Sequence, residues 1–376
     1  MTLNPEIRWI DTPAALDSAC AEVADADVIA LDTEFFRENT FHPVPALIQF
    51  AAGGAPAFLV DPLEVACTEA FRRLLAEGPL KLLHASSEDL EVFAHWAGVP
   101  VAPLVDTQIA QSLLGEVPSM GYQKCVEFWT GETLPKDETR SNWLLRPLSD
   151  SQKRYAALDV VYLLDVWEHQ REALDRQGRM AWVEADCAAL VAQAARSETA
   201  DGQWYLRHRQ LWRLSPRQVE AYRRLTLWRE GEARRRDVPR GWLVHDRLLY
   251  AIAEQLPENR FELSRVEGLK PPLIKREGDE LLRLVREALQ IDESALPPAP
   301  LSPMTPEFKQ RLKALKKVVN ADAEALGVAP EVLLRRRELE ALVSADLRGE
   351  PLPMPGGWRG DRLAAGLTAV LEEVSR

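Results

Sequence analysis

The feature that most constrains this chain is a short apolar run, residues 28–31, that leads into two carboxylates one residue apart, Asp32 and Glu34. A run of this length and composition predicts a buried strand. Because residues i and i+2 of a strand point to the same face, Asp32 and Glu34 would project side by side. Two such charges repel each other, so they need a cation or a proton. Mg²⁺ or Mn²⁺, which prefer oxygen ligands, would suit them; two solvated acids at an exposed strand end are the alternative.

Length and composition indicate a globular protein of two or three domains, since the chain has 376 residues and 46% of them are hydrophobic. No stretch approaches the roughly 18 apolar residues of a membrane span, and the N-terminus lacks a signal-peptide pattern. The four cysteines are scattered singly, which is typical of small core residues in a reducing compartment. We therefore expect a cytoplasmic protein with no membrane partner.

Charge is distributed unevenly along the chain. Residues 1–196 contain 15 basic and 30 acidic residues, whereas the remainder contains 31 basic and 28 acidic residues. Within residues 207–247 there are 12 arginines and only five acids. An acidic half joined to an arginine-rich tract indicates a metal-dependent site beside a phosphate-binding surface.

The first half of the sequence predicts an α/β domain with a mixed sheet. Strands are expected at residues 28–31, 47–51, 57–60, 80–83 and 103–105. Helices are expected from Pro13, around residues 71–75, from residue 86 or 87, and over residues 121–130 and 150–195. The first three strands read as an antiparallel meander, which continues into parallel strands through βαβ connections.

From residue 207 onwards only helices are predicted. We divide the chain into an α/β domain (1–197), a helical domain (207–290), a proline-rich linker (291–305) and a second, diverged helical domain (306–376). Ser215-Pro216 and Thr305-Pro306 are matching helix starts, and Gly278-Asp279 recurs as Gly360-Asp361. A phosphate-binding GxxxxGK(S/T) loop does not occur, so no nucleotide cofactor is expected.

Further acids fall where they could join the first pair. Asp89 lies one turn into the helix that follows strand 80–83, and Asp106, at the next strand end, competes with it for the same role. Tyr155 and Asp159 are four apart in an apolar helical pattern, so their side chains share one face. Taken singly, each of these residues could equally belong to a solvated helix face or to the edge of the core.

Four carboxylates at one site could hold two divalent ions about 4 Å apart, the arrangement that displaces an oxygen from a phosphodiester. One ion would lower the pKa of a bound water, and the other would neutralise the leaving oxyanion. A tyrosine hydroxyl beside them would orient the attacking water. The sequence therefore favours metal-dependent hydrolysis of a nucleic acid.

The same residues resemble, in order and in spacing, the three motifs of the DEDD superfamily of 3′-to-5′ exonucleases. The matching segments are Asp32-Thr33-Glu34, His84-Ala85-Ser86-Ser87-Glu88-Asp89 and Tyr155-Ala156-Ala157-Leu158-Asp159, together with residues 47–49 and 143–148. A tyrosine four residues before the last aspartate is typical of the tyrosine subclass. Certain members of this subclass carry two small helical nucleic-acid-binding domains, modules shared with some helicases, after the exonuclease domain.

The resemblance implies a ribonuclease-H-like exonuclease domain with a mixed sheet, followed by two small all-α domains. It implies two Mg²⁺ or Mn²⁺ ions per site, with Asp32 as the bridge between them. Glu34 and Asp159 would complete the shell of the ion that activates water. Asp89 would hold the second ion, and Tyr155 would position the nucleophile.

The implied activity is that of a metal-dependent 3′-to-5′ exoribonuclease. It would trim the single-stranded 3′ ends of structured RNA precursors, such as those of tRNA, and release nucleoside 5′-monophosphates. Composition does not distinguish RNA from DNA, so a DNA 3′-5′ exonuclease stays open, as does a catalytically silent RNA-binding scaffold. A monomer is favoured.

Candidate RNA contacts lie in two stretches. Trp143 and Arg146 lie in residues 143–148, one of the segments that resemble the exonuclease superfamily. The other candidates are arginines interleaved with aromatic residues, a combination that suits unpaired RNA because guanidinium groups bind phosphates and aromatic faces stack on bases. They are Arg207, Arg209, Arg213 and Arg217. The alternative for this tract is a helix whose aromatic residues form a core stripe.

Overall fold

The structure is a computed structural model that describes residues 4–115, 117–135, 138, 141–197, 204–298 and 300–375. Its sheet contains β1 (Ile7–Ile10), β2 (Val28–Phe36), β3 (Val44–Ala52), β4 (Ala57–Val60), β5 (Leu80–Leu83) and β6 (Leu104–Asp106), in the order β1-β4-β3-β2-β5-β6. Strand β3 pairs antiparallel with β2 and β4, and the other three pairs are parallel. The predicted mixed sheet is confirmed.

Two details of the sheet differ from the prediction. Strand β1 was not predicted; it pairs in parallel with β4 at the edge of the sheet. Strand β2 does not stop at Leu31 but runs through both acids to Phe36, with a register shift against β3 after Glu34. Asp32 and Glu34 therefore lie within a paired strand, which fixes their side chains on one face of the sheet.

Helices cover both faces of this sheet. They are α1 (Pro13–Val23), α2 (Glu69–Ala76), α3 (Ser87–Ala97), α4 (Thr107–Ser112), α5 (Tyr122–Thr130), α6 (Asp150–Arg176) and α7 (Met180–Ser197). Leu16, Phe71 and Phe93 of α1, α2 and α3 share one buried cluster with Ile48 and Phe50 of β3. Helix α6 packs against the opposite face, where Ala157 and Val160 join Ala30 and Ala51.

The helical pattern predicted over residues 150–195 forms two helices, α6 and α7. The break between α6 and α7 contains Gly178, whose φ is 63°. This left-handed conformation favours glycine, because in any other residue it brings the Cβ atom close to the adjoining backbone carbonyl oxygen.

The second half of the chain is helical, as predicted. The first helical block comprises α8 (Pro216–Arg236), α9 (Arg240–Leu243), α10 (Asp246–Gln255), α11 (Arg260–Ser264) and α12 (Pro271–Gln290). The second helical block comprises α13 (Pro306–Leu326), α14 (Pro330–Leu333), α15 (Arg336–Arg348) and α16 (Gly357–Val374). In the described residues, no helix is long and apolar enough to span a membrane.

The two blocks share one order: a 21-residue helix, a four-residue helix, a middle helix and a long final helix. Helix α11 has no counterpart in the second block, which accounts for the longer spacing in the first. Ser215 and Thr305 are the N-caps of α8 and α13, and each side chain accepts a backbone hydrogen bond. The part of the predicted domain boundary at residues 198–203 lies outside the described residues, and the four domain limits stay predictions.

The second block is built into the core of the α/β domain. Its Leu315, Leu342 and Leu367 belong to the same buried cluster as Leu113 and Val183.

Polar contacts reinforce this junction. Arg179 donates to the carbonyls of Leu113 and Leu326, which lie on either side of it. The Trp182 ring stacks on Trp358 at 4.4 Å between centroids, and Arg359 donates to both oxygens of Asp186.

The first block meets the α/β domain through the loop that follows β2. Phe41 in this loop is 3% exposed and belongs to the buried cluster of the first block. The backbone N–H groups of Phe41 and His42 both donate to Asp237, the C-cap residue of α8. Strand β2, which carries Asp32 and Glu34, thus leads directly into the loop that holds the first block.

Candidate metal centre

Three carboxylates converge where α6 crosses β2. Asp32, Glu34 and Asp159 each present an oxygen, and these oxygens all lie within 4.8 Å of one another. Asp32 and Glu34 share a face because of the strand period, and Asp159 comes from the helix packed on that face. All three side chains are half-buried. The geometry therefore brings together three of the four carboxylates that the sequence nominated.

Electrostatics make this cluster unfavourable without a cation. Burial raises the pKa of Asp32 well above its usual value, and the negative charges of Asp89, Asp159 and Glu34 raise it further. Burial, then Asp159 and Asp89, raise the pKa of Glu34 in the same way. Burial raises the pKa of Asp159 to about 8, although a hydrogen bond from Tyr155 opposes this. Three crowded oxygen donors of this kind fit a hard divalent cation, which would stabilise their ionised forms.

Asp89 lies beside the cluster but is held by a neighbour. Its Oδ1 accepts a hydrogen bond of 2.5 Å from the hydroxyl of Thr33, the residue between the two β2 acids. Burial raises the Asp89 pKa to about 6, while the Thr33 hydrogen bond lowers it. Asp89 thus stands next to Asp32 as a fourth carboxylate, with one oxygen already engaged.

Asp106, the competing candidate, has a structural role. Its two oxygens accept five hydrogen bonds: from the backbone N–H groups of Ala85, Ser86, Gln108 and Ile109 and from the Ser86 hydroxyl. It caps α4 and ties the 85–86 turn to β6. A carboxylate so fully engaged is not available to a metal ion, so the geometry favours Asp89.

Tyr155 is positioned from two sides. Its hydroxyl group hydrogen-bonds to Asp159, and its ring packs against Trp143 at 6.0 Å between centroids. Trp143 is in turn held by Arg146, which donates to the Trp143 carbonyl, to the Ala46 carbonyl and to both oxygens of Asp61.

This arrangement involves two predicted RNA contacts. Trp143 is 5% exposed, which leaves no free face on which a base could stack. Arg146 is occupied by a carboxylate and backbone carbonyls. Trp143 packs against Tyr155, and Arg146, with 23% of its side chain exposed, holds Trp143 from behind; their RNA contacts stay predictions.

The four arginines of the predicted RNA-binding tract differ in their surroundings: Arg217 is partly buried, and Arg207, Arg209 and Arg213 are exposed. Arg217 donates to the carbonyls of Ala288, Leu289 and Ile291 at the end of α12. Arg207 lies 3.7 Å from the Trp204 ring centroid, and Arg213 lies 5.1 Å from that of Trp212. Arg209 is exposed. The RNA contacts of these four arginines stay predictions.

Two residues at the site were missed from the sequence. Thr33 holds Asp89, and Gln49 of β3 lies directly opposite Asp32 across the antiparallel pair. The signal for Thr33 was its place between the two acids. Gln49 stood in the family-like segment 47–49, but only strand pairing shows what it faces.

Comparison with known proteins gives the same division into an exonuclease domain and a helical region. A family model described as a 3′-5′ exonuclease matches residues 7–175, and one described as an HRDC domain matches residues 218–285. The chain is 41% identical to Ribonuclease D of Pseudomonas paraeruginosa (strain DSM 24068 / PA7), over 98% of each chain. It is 34% identical to Ribonuclease D of Escherichia coli (strain K12), over 97% of this chain and 98% of that one. The crystal structure of Escherichia coli RNase D matches with a TM-score of 0.88 at 33% identity, over 99% of each chain.

The sheet, the carboxylate cluster and the domain match define a 3′-5′ exonuclease domain followed by a helical region that includes an HRDC domain. Enzymes of this superfamily depend on divalent metal ions, and the acidic cluster meets that requirement. With near full-length relatives at 34–41% identity, the chain belongs to the ribonuclease D family and is a 3′-5′ exoribonuclease. The resemblance drawn from its motifs is confirmed.

Proposed function

We propose that this enzyme trims single-stranded 3′ ends of structured RNA precursors, such as those of tRNA, and releases nucleoside 5′-monophosphates. The observation that carries the proposal is the cluster of Asp32, Glu34 and Asp159 oxygens within 4.8 Å of one another. The class of substrate is supported by the Escherichia coli relative, described as an exoribonuclease involved in structured RNA processing. A cytoplasmic, monomeric enzyme remains our expectation.

Asp32, Glu34, Asp159 and Asp89 would hold two divalent ions, Mg²⁺ or Mn²⁺. Such ions lower the pKa of water and neutralise a leaving oxyanion. The protein supplies the positions: β2 aligns Asp32 and Glu34, and α6 brings Asp159 and Tyr155 to them. The Tyr155 hydroxyl, hydrogen-bonded to Asp159, would orient the attacking water. Burial of the carboxylates strengthens their hold on cations, because solvent screens them less.

The test compares Asp32→Asn with wild type on a 3′-labelled RNA and a DNA of the same sequence, with Mg²⁺, Mn²⁺ or EDTA. Loss of a metal-binding carboxylate is worth several kcal/mol, so we expect the rate of shortening to fall by about 10³-fold or more. RNA binding, measured in EDTA, should be nearly unchanged. Glu88→Gln is the matched control, since Glu88 is exposed beside Asp89, and it should cleave as wild type does.

Near-normal trimming by Asp32→Asn would exclude the proposed metal site. Faster shortening of DNA than of RNA would contradict the proposed substrate. The nature of the product is read from the same reaction, since release of nucleosides with a 3′-phosphate would contradict the proposed position of bond cleavage.

A further inference from the structure

A fully buried glutamine without a hydrogen-bond partner lies beside the carboxylate cluster. Gln49 is 0% exposed, and neither its Oε1 nor its Nε2 has a partner. Leaving a buried polar group unpaired costs about 1–3 kcal/mol, so such groups in native proteins call for an explanation. Among the described residues with an unpaired buried side-chain atom, Gln49 has both amide atoms unpaired.

Strand pairing limits what Gln49 can reach. In the antiparallel pair β2/β3 it stands opposite Asp32, and in β3/β4 it stands opposite Leu59. Residues directly opposite each other point to the same face, with Cβ atoms about 4.5–5.5 Å apart. On its own strand the neighbours on that face are Leu47 and Ala51. Asp32 is therefore the polar side chain nearest to Gln49 among these four neighbours.

The packing above the sheet is apolar around Gln49. Leu47 and Leu59 share a buried cluster with Ala156 of α6, and Ala51 shares another with Val160. Helix α6 thus closes over Gln49 while it delivers Asp159 to the cluster. Because Gln49 is inaccessible, it is not a contact for RNA.

We propose that Gln49 is a positioning residue for Asp32: its amide donates a hydrogen bond to the Asp32 carboxylate when that carboxylate is ionised and bound to a cation. A hydrogen bond to an ionised acceptor is roughly twice as strong as one between neutral groups. It would fix the orientation of the carboxylate that is proposed to bridge the two ions. Partners of this kind, behind the metal ligands, commonly contribute 10- to 100-fold to metal affinity.

The test substitutes Gln49→Met in the full chain and measures Mn²⁺ binding by electron paramagnetic resonance, without RNA. Methionine has a similar length and no donor. We expect about a 10-fold or greater loss of Mn²⁺ affinity. The thermal midpoint measured in EDTA should be unchanged or higher, because a buried unpaired amide has been removed. A structural role alone would leave Mn²⁺ affinity unchanged.

Gln170→Met is the matched control. Gln170 is also 0% exposed, but its Nε2 donates to the Thr107 carbonyl and to Gln111. Its loss should lower the thermal midpoint and leave Mn²⁺ affinity unchanged. Should Gln49→Met fail to fold, Gln49→Leu provides the same measurement. Mn²⁺ affinity within about two-fold of wild type in the folded variant would overturn the proposal.

This inference rests on the proposed metal site, and the two can fail separately. If Asp32→Asn abolishes Mn²⁺ binding while Gln49→Met keeps it, only the role of Gln49 is wrong. If Asp32→Asn also keeps full Mn²⁺ affinity, the metal site itself is wrong, and the proposal for Gln49 falls with it.

Discussion

The two helical blocks have the same order of helices but are attached to the exonuclease domain differently. The second block shares one continuous buried cluster with that domain. The first block has a buried cluster of its own, to which, within the described residues, the exonuclease domain contributes only Phe41. Two blocks with the same order of helices are thus attached in different ways: the second shares the buried core of the exonuclease domain, and the first docks through the loop that follows β2.

Their charges differ as well. In the first block seven arginines of α8 and α9 form ion pairs, with Glu220, Glu230, Glu232, Glu277, Glu287 and Asp246. In the second block, α13 carries exposed Lys309, Lys313, Lys316 and Lys317, and within the described part of the chain no ion pair is made by any of them. A high count of arginines therefore does not by itself mark a surface that is free to bind phosphates.

The largest expected effect, on stability, distinguishes the attachment of the second block from that of the first. Trp358→Ala removes the ring stacked on Trp182 and should lower the free energy of unfolding by about 3 kcal/mol. Phe41→Ala removes the residue that docks the first block and should release that block while the exonuclease core stays folded. Hydrogen exchange read by mass spectrometry tests this: faster exchange in α7, α13 and α16 for Trp358→Ala, but in α8 and α9 alone for Phe41→Ala.

Exposed aromatic residues provide the controls for this pair. Trp242 is 63% exposed and Phe261 is 70% exposed, so Trp242→Ala and Phe261→Ala should change stability by less than about 0.5 kcal/mol. The same pattern of exchange in Trp358→Ala and Phe41→Ala would show that both blocks are attached in one way. It would remove the distinction between a built-in and a docked block.

A smaller effect concerns RNA binding by the free lysines. Replacing Lys313, Lys316 and Lys317 with glutamine should weaken binding of single-stranded RNA in EDTA. The slope of log affinity against log salt should fall by about 0.7 for each RNA phosphate that a lysine no longer neutralises, or about 2 for the three together. Thermal midpoints should not change, since these side chains are exposed.

A control variant removes the same charge from the exonuclease domain. Arg73, Lys124 and Arg171 are exposed, and their joint replacement with glutamine gives an equal change in net charge. If the control loses as much affinity and slope as the α13 variant, the effect is one of overall charge, and the α13 surface has no special role.

Features fixed by local spacing could be predicted from the sequence, whereas features that depend on contacts between distant segments could not. Asp32 with Glu34, and Tyr155 with Asp159, could be paired from spacing because strand and helix periods fix which residues share a face. Gln49 could not, since its relation to Asp32 depends on the β2/β3 register. The arginine tract was interpreted from its number of arginines. In the fold, however, Arg236 pairs with Glu277, 41 residues further along the chain, and Arg224 pairs with Glu287, 63 residues further along. The second block's place in the catalytic core likewise depends on contacts between distant segments.

The smallest expected effect is a dependence of first-block docking on pH. His42, next to Phe41, stacks on His95 of α3 at 4.7 Å between centroids. Burial lowers the pKa of His42, and the neighbouring His95 and Arg234 lower it further, whereas Asp237 and Glu91 oppose the shift. Because the pKa of His42 is lowered where its loop is packed, this loop binds fewer protons when packed than when free, so protonation favours loosening of the loop that holds the first block.

Docking of the first block should therefore be fully stable above the ordinary histidine pKa of about 6.5 and weaken as pH falls below it. The contacts described above for the second block involve arginine, aspartate and tryptophan, whereas histidine is the side chain whose ordinary pKa lies between about pH 5 and 8. Exchange rates of α8 at pH 5.5 and 7.5, corrected for intrinsic exchange, measure the difference. His42→Gln should remove it, while His169→Gln, at an exposed histidine of α6, should keep it. A pH dependence that survives in His42→Gln would assign the effect to another group, and the contrast between the two attachments would then rest on packing alone.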